Sequence, residues 1–336
     1  MNQLIKDFDR LHWLQKRNLL NRKCLFLDLS YWIGMCEGRT IHDLELKRLL
    51  SDMVENNELI CPISPSLLME FKKRPKSKKR DQYGQLMDQL SKGLSIRNWP
   101  VIFKEEFRRV AKEEHIEREI AYSHFTEAFS AGLHVTFDEA WSEDDADLAA
   151  NLIFEYLDSI SIVEVLDIEI DENQEGSISF LRDGLTRISE QEAYWRKQNP
   201  NFSTEMIEEA EFASVVRSVL PQIFRAFDPL EILSLPKLIS TSIDEKRELI
   251  KQCPTFWCQF KLISTVRSHN LKITENDLWD RMHVATALPY VDCIACDGNT
   301  RHISCNILKL DNKYKTTIVS KKNDLIEWLV ASSLKK

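Results

Sequence analysis

A chain of 336 residues with 43% hydrophobic side chains is long enough to bury one large core or two ordinary ones, which excludes a disordered or fibrous protein. Its 53 acidic against 45 basic residues leave a net charge of −8, so a surface coated uniformly in base is excluded and any polyanion must be met by a local patch. Eight cysteines and only eight glycines and ten prolines, with no apolar leader or membrane-length apolar run, fit a soluble, mainly helical, cytoplasmic protein with reduced thiols.

Residues 1–22 read as an amphipathic helix. Cys24 to Leu27 is then a short, fully apolar run suited to a buried central strand. Asp28 ends it, at the edge where open α/β sheets keep their ligands, with a turn cap as the plain alternative. His42 to Asn56 has helical spacing, and ELICPISPSLLMEF gives a second short strand, a proline-marked turn and a new helix. On that helix Leu67, Leu68 and Phe71 would face the sheet, which leaves Glu70 at the boundary between core and solvent. The basic run that follows, Lys72, Lys73, Arg74, Lys76, Lys78, Lys79 and Arg80, reads either as a solvated linker or as contacts to a phosphate backbone.

From about Asp81 to about Pro254 the pattern predicts long helices: Gln82–Leu90, Phe103–Ala131, Asp144–Ser159, Ile178–Lys197, Thr204–Phe227 and Asp244–Gln252. Ser242 with Glu245 makes a capping box for the last of them. We read residues 76–258 as a mainly α-helical insertion in a core built from 1–75 and 259–336. The acidic runs Asp138 to Asp147 and Glu164 to Glu175 lack the glycine and alternating spacing of a calcium loop, so they read as solvated faces. Arg118 and His124 have the loose spacing of helical ribonuclease dimers, but Glu119 interrupts the pattern.

A helix at Phe256–His269 precedes ITENDLWDRMHVATALPYVDCIACDGNTRH, Ile273 to His302. Thr274 can cap a helix on which Asp277 and Asp280 lie one turn apart on one face. Asp277 is explained by that cap. Asp280 is not, because a carboxylate near an apolar face is costly unless a cation or donor meets it. His283 reads as a packed histidine rather than a ligand. Tyr290 to Cys296 forms a strand that ends at Asp297, and Thr316–Val319 with a helix from Asn323 closes the chain. Cys293, Cys296, His302 and Cys305 have a zinc-like spacing, but strand residues three apart point to opposite faces, so they read as buried thiols.

Four carboxylates on four elements, Asp28, Glu70, Asp280 and Asp297, match the oxygen ligands that Mg2+ or Mn2+ requires, with water and substrate phosphate filling the remaining positions. At this point the chain resembles the PIN-domain nuclease superfamily. LFLDLSYW resembles its first strand and aspartate, ISPSLLMEF its second-acid helix, and DLWDRMHVATALPYVDCIACDGNTRH its third-acid helix and the strand to the last aspartate. The likeness covers roughly residues 20–75 and 260–336. It implies a three-layer α/β/α sandwich with a central parallel sheet. It also implies a metal site of Asp28, Glu70, Asp280 and Asp297, with Asp277 as a further acid and Asp292 in support. Cys296 departs from the small hydroxyl residue that many relatives carry there.

The activity implied is metal-dependent endonuclease cleavage, of RNA ahead of DNA. Expected partners are nucleic acid, an inhibitory or activating protein and a second copy of the chain, with no membrane. One alternative is a catalytically silent PIN-like module that binds RNA or protein in a larger assembly. A second is a haloacid-dehalogenase-like phosphatase, but Ser30 stands where that family needs another aspartate.

Overall fold

The computed structural model describes residues 13–15, 18–72, 78–128, 159–167, 203–210, 212–213, 216, 242–268 and 275–333. Strand β1 (Lys23–Leu27) leads into α1 (Leu29–Glu37), α2 (Ile41–Glu55), β2 (Leu59–Ile60), α3 (Pro65–Lys72) and α4 (Lys78–Ser91). Then come β3 (Leu94–Ile96), α5 (Trp99–Ala111), β4 (Tyr122–His124) and the short α6 (Ile162–Asp167). The later part of the chain supplies α7 (Ile243–Lys251), α8 (Pro254–Ser268), α9 (Glu275–Ala287), β5 (Cys293–Ala295) and α10 (Gly298–Arg301). It closes with α11 (Leu310–Tyr314), β6 (Thr317–Val319) and α12 (Lys322–Ser333).

The protein is mixed α/β, with a four-stranded sheet in the order β2-β1-β5-β6, and every pairing in it is parallel. A strand covered on both faces needs apolar residues at every position, and β1 meets that need. Leu25 and Leu27 enter one core with residues of α1, α2, α4 and α12. Cys24 and Phe26 enter another with residues of α5, α8 and α9. The same alternation divides Cys293 and Ala295 from Ile294, and Val319 from Ile318. Helices therefore cover both faces of the sheet.

Beyond β2 the chain continues to Ile63, which bridges in parallel to Ser95 of β3. The Ile63 N–H donates to the Leu94 carbonyl at 3.1 Å and the Ile96 N–H to the Ile63 carbonyl at 2.8 Å. Strand β4 pairs antiparallel with β3.

This corrects the sequence reading of one helix. The single helix expected over Phe103–Ala131 ends at Ala111, where Lys112 caps it and Glu113 takes a positive φ of 58°. The chain then makes a short 3-10 turn and forms β4. Residues 78–128, assigned from sequence to the helical insertion, also supply Leu94, Ile96, Ile102 and Tyr122 to the core beneath β1 and β5. The helices expected at Asp144–Ser159 and Ile178–Lys197 lie essentially outside the described residues, as do Thr274 and most of residues 1–22 and 204–227.

The capping box of Ser242 and Glu245 is present at the start of α7. All eight cysteines are free. Among the described residues no helix is long and apolar enough to cross a membrane.

Candidate active site

The strand order places a topological switch at β1. From β1 the chain passes through α1 and α2 to β2 on one side, while β5 lies on the other. Such a divergence leaves a crevice at the carboxyl ends of the two strands. Leu27 is in register with Ala295, and the Asp28 N–H donates to the Ala295 carbonyl at 2.9 Å. Asp28 and Asp297 thus emerge side by side, each as the first residue able to turn away from its strand. The Trp32 indole N–H donates to the Leu27 carbonyl at 3.0 Å and fixes the exit of β1.

Both aspartates cap helices, as the plain reading of each allowed. Asp28 Oδ2 accepts from the Ser30 hydroxyl at 2.9 Å, at the start of α1. Asp297 Oδ1 accepts from the N–H groups of Asn299 at 2.7 Å and Thr300 at 3.0 Å, at the start of α10. Capping does not use all of their oxygens. Asp297 Oδ2 is buried and has no hydrogen-bond partner among the described residues. Burial pushes the Asp28 carboxyl up, against the Ser30 hydrogen bond and with the Asp297 charge adding to it.

Asp280, on α9, influences the same thiol as this pair. The Cys296 thiol is pushed well up, chiefly by burial and then by the charges of Asp297, Asp28 and Asp280 together with Cys305. Three of the expected acids therefore act electrostatically on one side chain. The Tyr31 hydroxyl is buried without a hydrogen-bond partner among the described residues, and burial, Cys296 and Asp28 all raise its pKa. A tyrosine among apolar helix residues carries no sequence signal for such a position.

Glu70, on α3, reaches the site through a residue that the sequence reading set aside. Its Oε2 lies 3.7 Å from Nε2 of His283, with the glutamate side chain 17% exposed and the imidazole 4%. His283 stands one turn after Asp280 on α9 and packs near the Phe26 ring of β1, with centroids 6.2 Å apart. Burial holds its pKa down at about 4, so the ring is neutral near pH 7.

The remaining expected residues divide. Asp277 lies on α9, but its side chain is outside the described residues, as are Lys73, Arg74 and Lys76 and the side chain of Lys72. Lys78 and Lys79 are exposed, whereas Arg80 is 8% exposed and so is not presented to solvent as they are. The Tyr83 hydroxyl donates to Glu37 at 2.7 Å and Lys79 stands 3.6 Å from Glu37, which ties the end of the basic run to α1.

Asp292 sits at the wrong end of β5 to support the acids. Its Oδ2 accepts from the Cys24 N–H at 2.7 Å, and five residues of extended chain put it about 16 Å from Asp297. Arg118 lies 3.9 Å from Asp292 and donates to the Cys24 sulfur at 2.8 Å. His124 is buried against Thr126. Those two do not form an exposed ribonuclease pair.

Among the described residues, no group of three or more His, Cys, Asp or Glu side chains is gathered closely enough to hold a metal. Of the expected carboxylates, Asp297 keeps one buried oxygen with no hydrogen-bond partner among the described residues, and the Asp28 carboxyl is raised, by burial first and by the Asp297 charge last. No family profile, curated protein or solved structure matches the chain.

Proposed function

We propose that this protein is a PIN-like metal-dependent endonuclease that hydrolyses phosphodiester bonds, in RNA ahead of DNA. The observation that carries the reading is the emergence of Asp28 and Asp297 at adjacent strand ends of the switch point, with Asp297 Oδ2 buried and without a hydrogen-bond partner among the described residues. Asp28, Asp280 and Asp297 would hold Mg2+ or Mn2+, and Glu70 would hold the metal or orient the attacking water. A cation held there supplies a water of lowered pKa and stabilises charge on the leaving oxygen.

The chain's own groups do the rest. Asp28 accepts from Ser30 at the start of α1, and Asp297 from Asn299 and Thr300 at the start of α10, which fixes the direction of both carboxyl groups. The exposed Lys78 and Lys79 are placed to attract a phosphate backbone.

The test is cleavage of labelled single-stranded RNA and DNA in Mn2+, Mg2+ or EDTA by wild type, Asp28→Asn and Asp297→Asn. Asparagine is a competent helix cap, so both variants should fold. Metal-dependent cutting that drops at least about 100-fold in both is expected, as for loss of a group that stabilises the transition state. Equal RNA binding by all three proteins with no cleavage would make the silent binding module the better reading.

A further inference from the structure

His283 is held from both sides. Its Nδ1 lies 3.2 Å from the Ser64 hydroxyl and 3.3 Å from that of Ser66. Its Nε2 is buried with no hydrogen-bond partner among the described residues and faces Glu70 Oε2 at 3.7 Å. These contacts determine where the imidazole proton sits. Ser64 Oγ accepts from the Leu67 N–H at 3.2 Å, as the cap of α3, and lies 3.3 Å from Ser66 Oγ, so if one serine donates to the other a hydroxyl proton is still left to donate to Nδ1. In the opposite tautomer a bare Nε2 lone pair would face a carboxylate oxygen away from water, two acceptors with no proton between them. The network therefore assigns the proton to Nε2.

We propose that His283 is a positioning residue: its Nε2–H, fixed by the serine hydroxyls on Nδ1, holds the Glu70 carboxylate in register with Asp280 one turn away on α9. The inference rests on reading these acids as one cation site. At 3.7 Å the contact is longer than a hydrogen bond, so in the metal-free protein it is an electrostatic one. The arrangement links α3 to α9, which pack together. It resembles the way outer groups orient carboxylate and histidine ligands in metal sites generally.

The experiment uses the full chain labelled with 15N at histidine, first without metal and then with Mn2+ alone as the probe. Long-range 15N–1H spectra of the metal-free wild type should show His283 as the Nε2–H tautomer, and Glu70→Gln should shift its Nε2 resonance. His283→Gln, which keeps an N–H near the same point, should hold Mn2+ affinity within about threefold, and His283→Leu should lose about 10- to 100-fold. An Nδ1–H tautomer, or an Nε2 resonance indifferent to Glu70→Gln, overturns the proposal. So does a folded His283→Leu protein that binds Mn2+ like wild type. If no protein binds Mn2+, the cation-site reading is what has failed, and the tautomer with its response at Glu70 still decides the role of His283.

Discussion

Glu106 shows how far a single buried acid can depart from its sequence appearance. It sits on α5 among Lys104, Glu105 and Arg108, and its side chain is wholly buried. Its Oε1 accepts from the Tyr290 hydroxyl and from the Thr255 N–H, the latter at 2.8 Å, while Oε2 has no hydrogen-bond partner among the described residues. Burial raises its pKa to about 7, against the pull of Tyr290 and Thr255. The folded protein thus holds this proton more tightly than the unfolded chain does. The resulting stabilisation is complete below about pH 4.5 and is lost as pH rises through about 7. A shift of that size corresponds to about 3 kcal/mol. Urea denaturation between pH 5 and 8 should show wild type losing stability with rising pH relative to Glu106→Gln, which keeps an acceptor but does not titrate. Parallel curves for the two proteins would mean that Glu106 is ionised in the fold. Asp28 and Asp297 were legible in sequence because each ends an apolar run. Glu106 and His283 were not, since their roles depend on Thr255, Tyr290, Ser64 and Ser66, all remote along the chain.

At the level of elements, Asp43 binds three helices together. One of its oxygens closes a capping box with Thr40 at the start of α2. The other lies 2.6 Å from the Lys322 ammonium of α12 as an ion pair, although Asp43 is fully buried. A Cβ added to Gly34 of α1 would meet that same oxygen at 2.4 Å, so the glycine is what lets α1 approach. Burial alone would raise the Asp43 carboxyl, but Lys322 and Thr40 outweigh it and hold the pKa below the ordinary value. The pair therefore stabilises the fold above the ordinary aspartate range and stops doing so as pH falls through the depressed pKa. Lys322 is 31% exposed on its side chain, so the cost of removing it falls between the surface and buried limits, about 2 kcal/mol. Urea denaturation at pH 7 should show that loss for Lys322→Met and a comparable or larger one for Gly34→Ala. A Lys322→Met protein as stable as wild type would place the contact in solvent. The capping box follows from Thr40 and Asp43 three residues apart, while the link to Lys322 could not be read from a residue so distant in sequence. Strands β3 and β4 escaped for a different reason. Each has only three residues, and IFKEEFRRVAKEEHIEREI between them is dense in helix formers, so local propensity hid an antiparallel pair that tertiary contacts make across α5.

For the whole molecule, the question is whether residues 78–128 fold with the sheet or as a separate unit. The sequence pattern argued for separation, because helices follow one another after the basic run. The packing argues the other way. Leu94, Ile96 and Tyr122 share a core with Phe26 and Ile294, and the Tyr122 hydroxyl donates to the Tyr290 carbonyl at 2.5 Å, just before β5. Backbone bonds through Ile63 carry the ladder from β2 to β3. An element whose side chains form one wall of a shared core cannot leave without exposing the other walls, so its amides should open only in the global transition. Native-state hydrogen exchange should therefore give Ile96 and Tyr122 the same opening free energy as Phe26 and Ile294, with the same dependence on denaturant. Opening of β3 and β4 at a lower free energy, with β1 and β5 still protected, would show the β3–β4 pair to be a separate unit laid against the sheet. The acid site would then depend on the β1–β5 switch point alone. If all four amides open together, the geometry around Asp28 and Asp297 is maintained by the β3–β4 pair as well, and substitutions such as Tyr122→Phe, whose hydroxyl bonds the chain ahead of β5 rather than its Asp297 end, would lower the stability of the site with that of the fold.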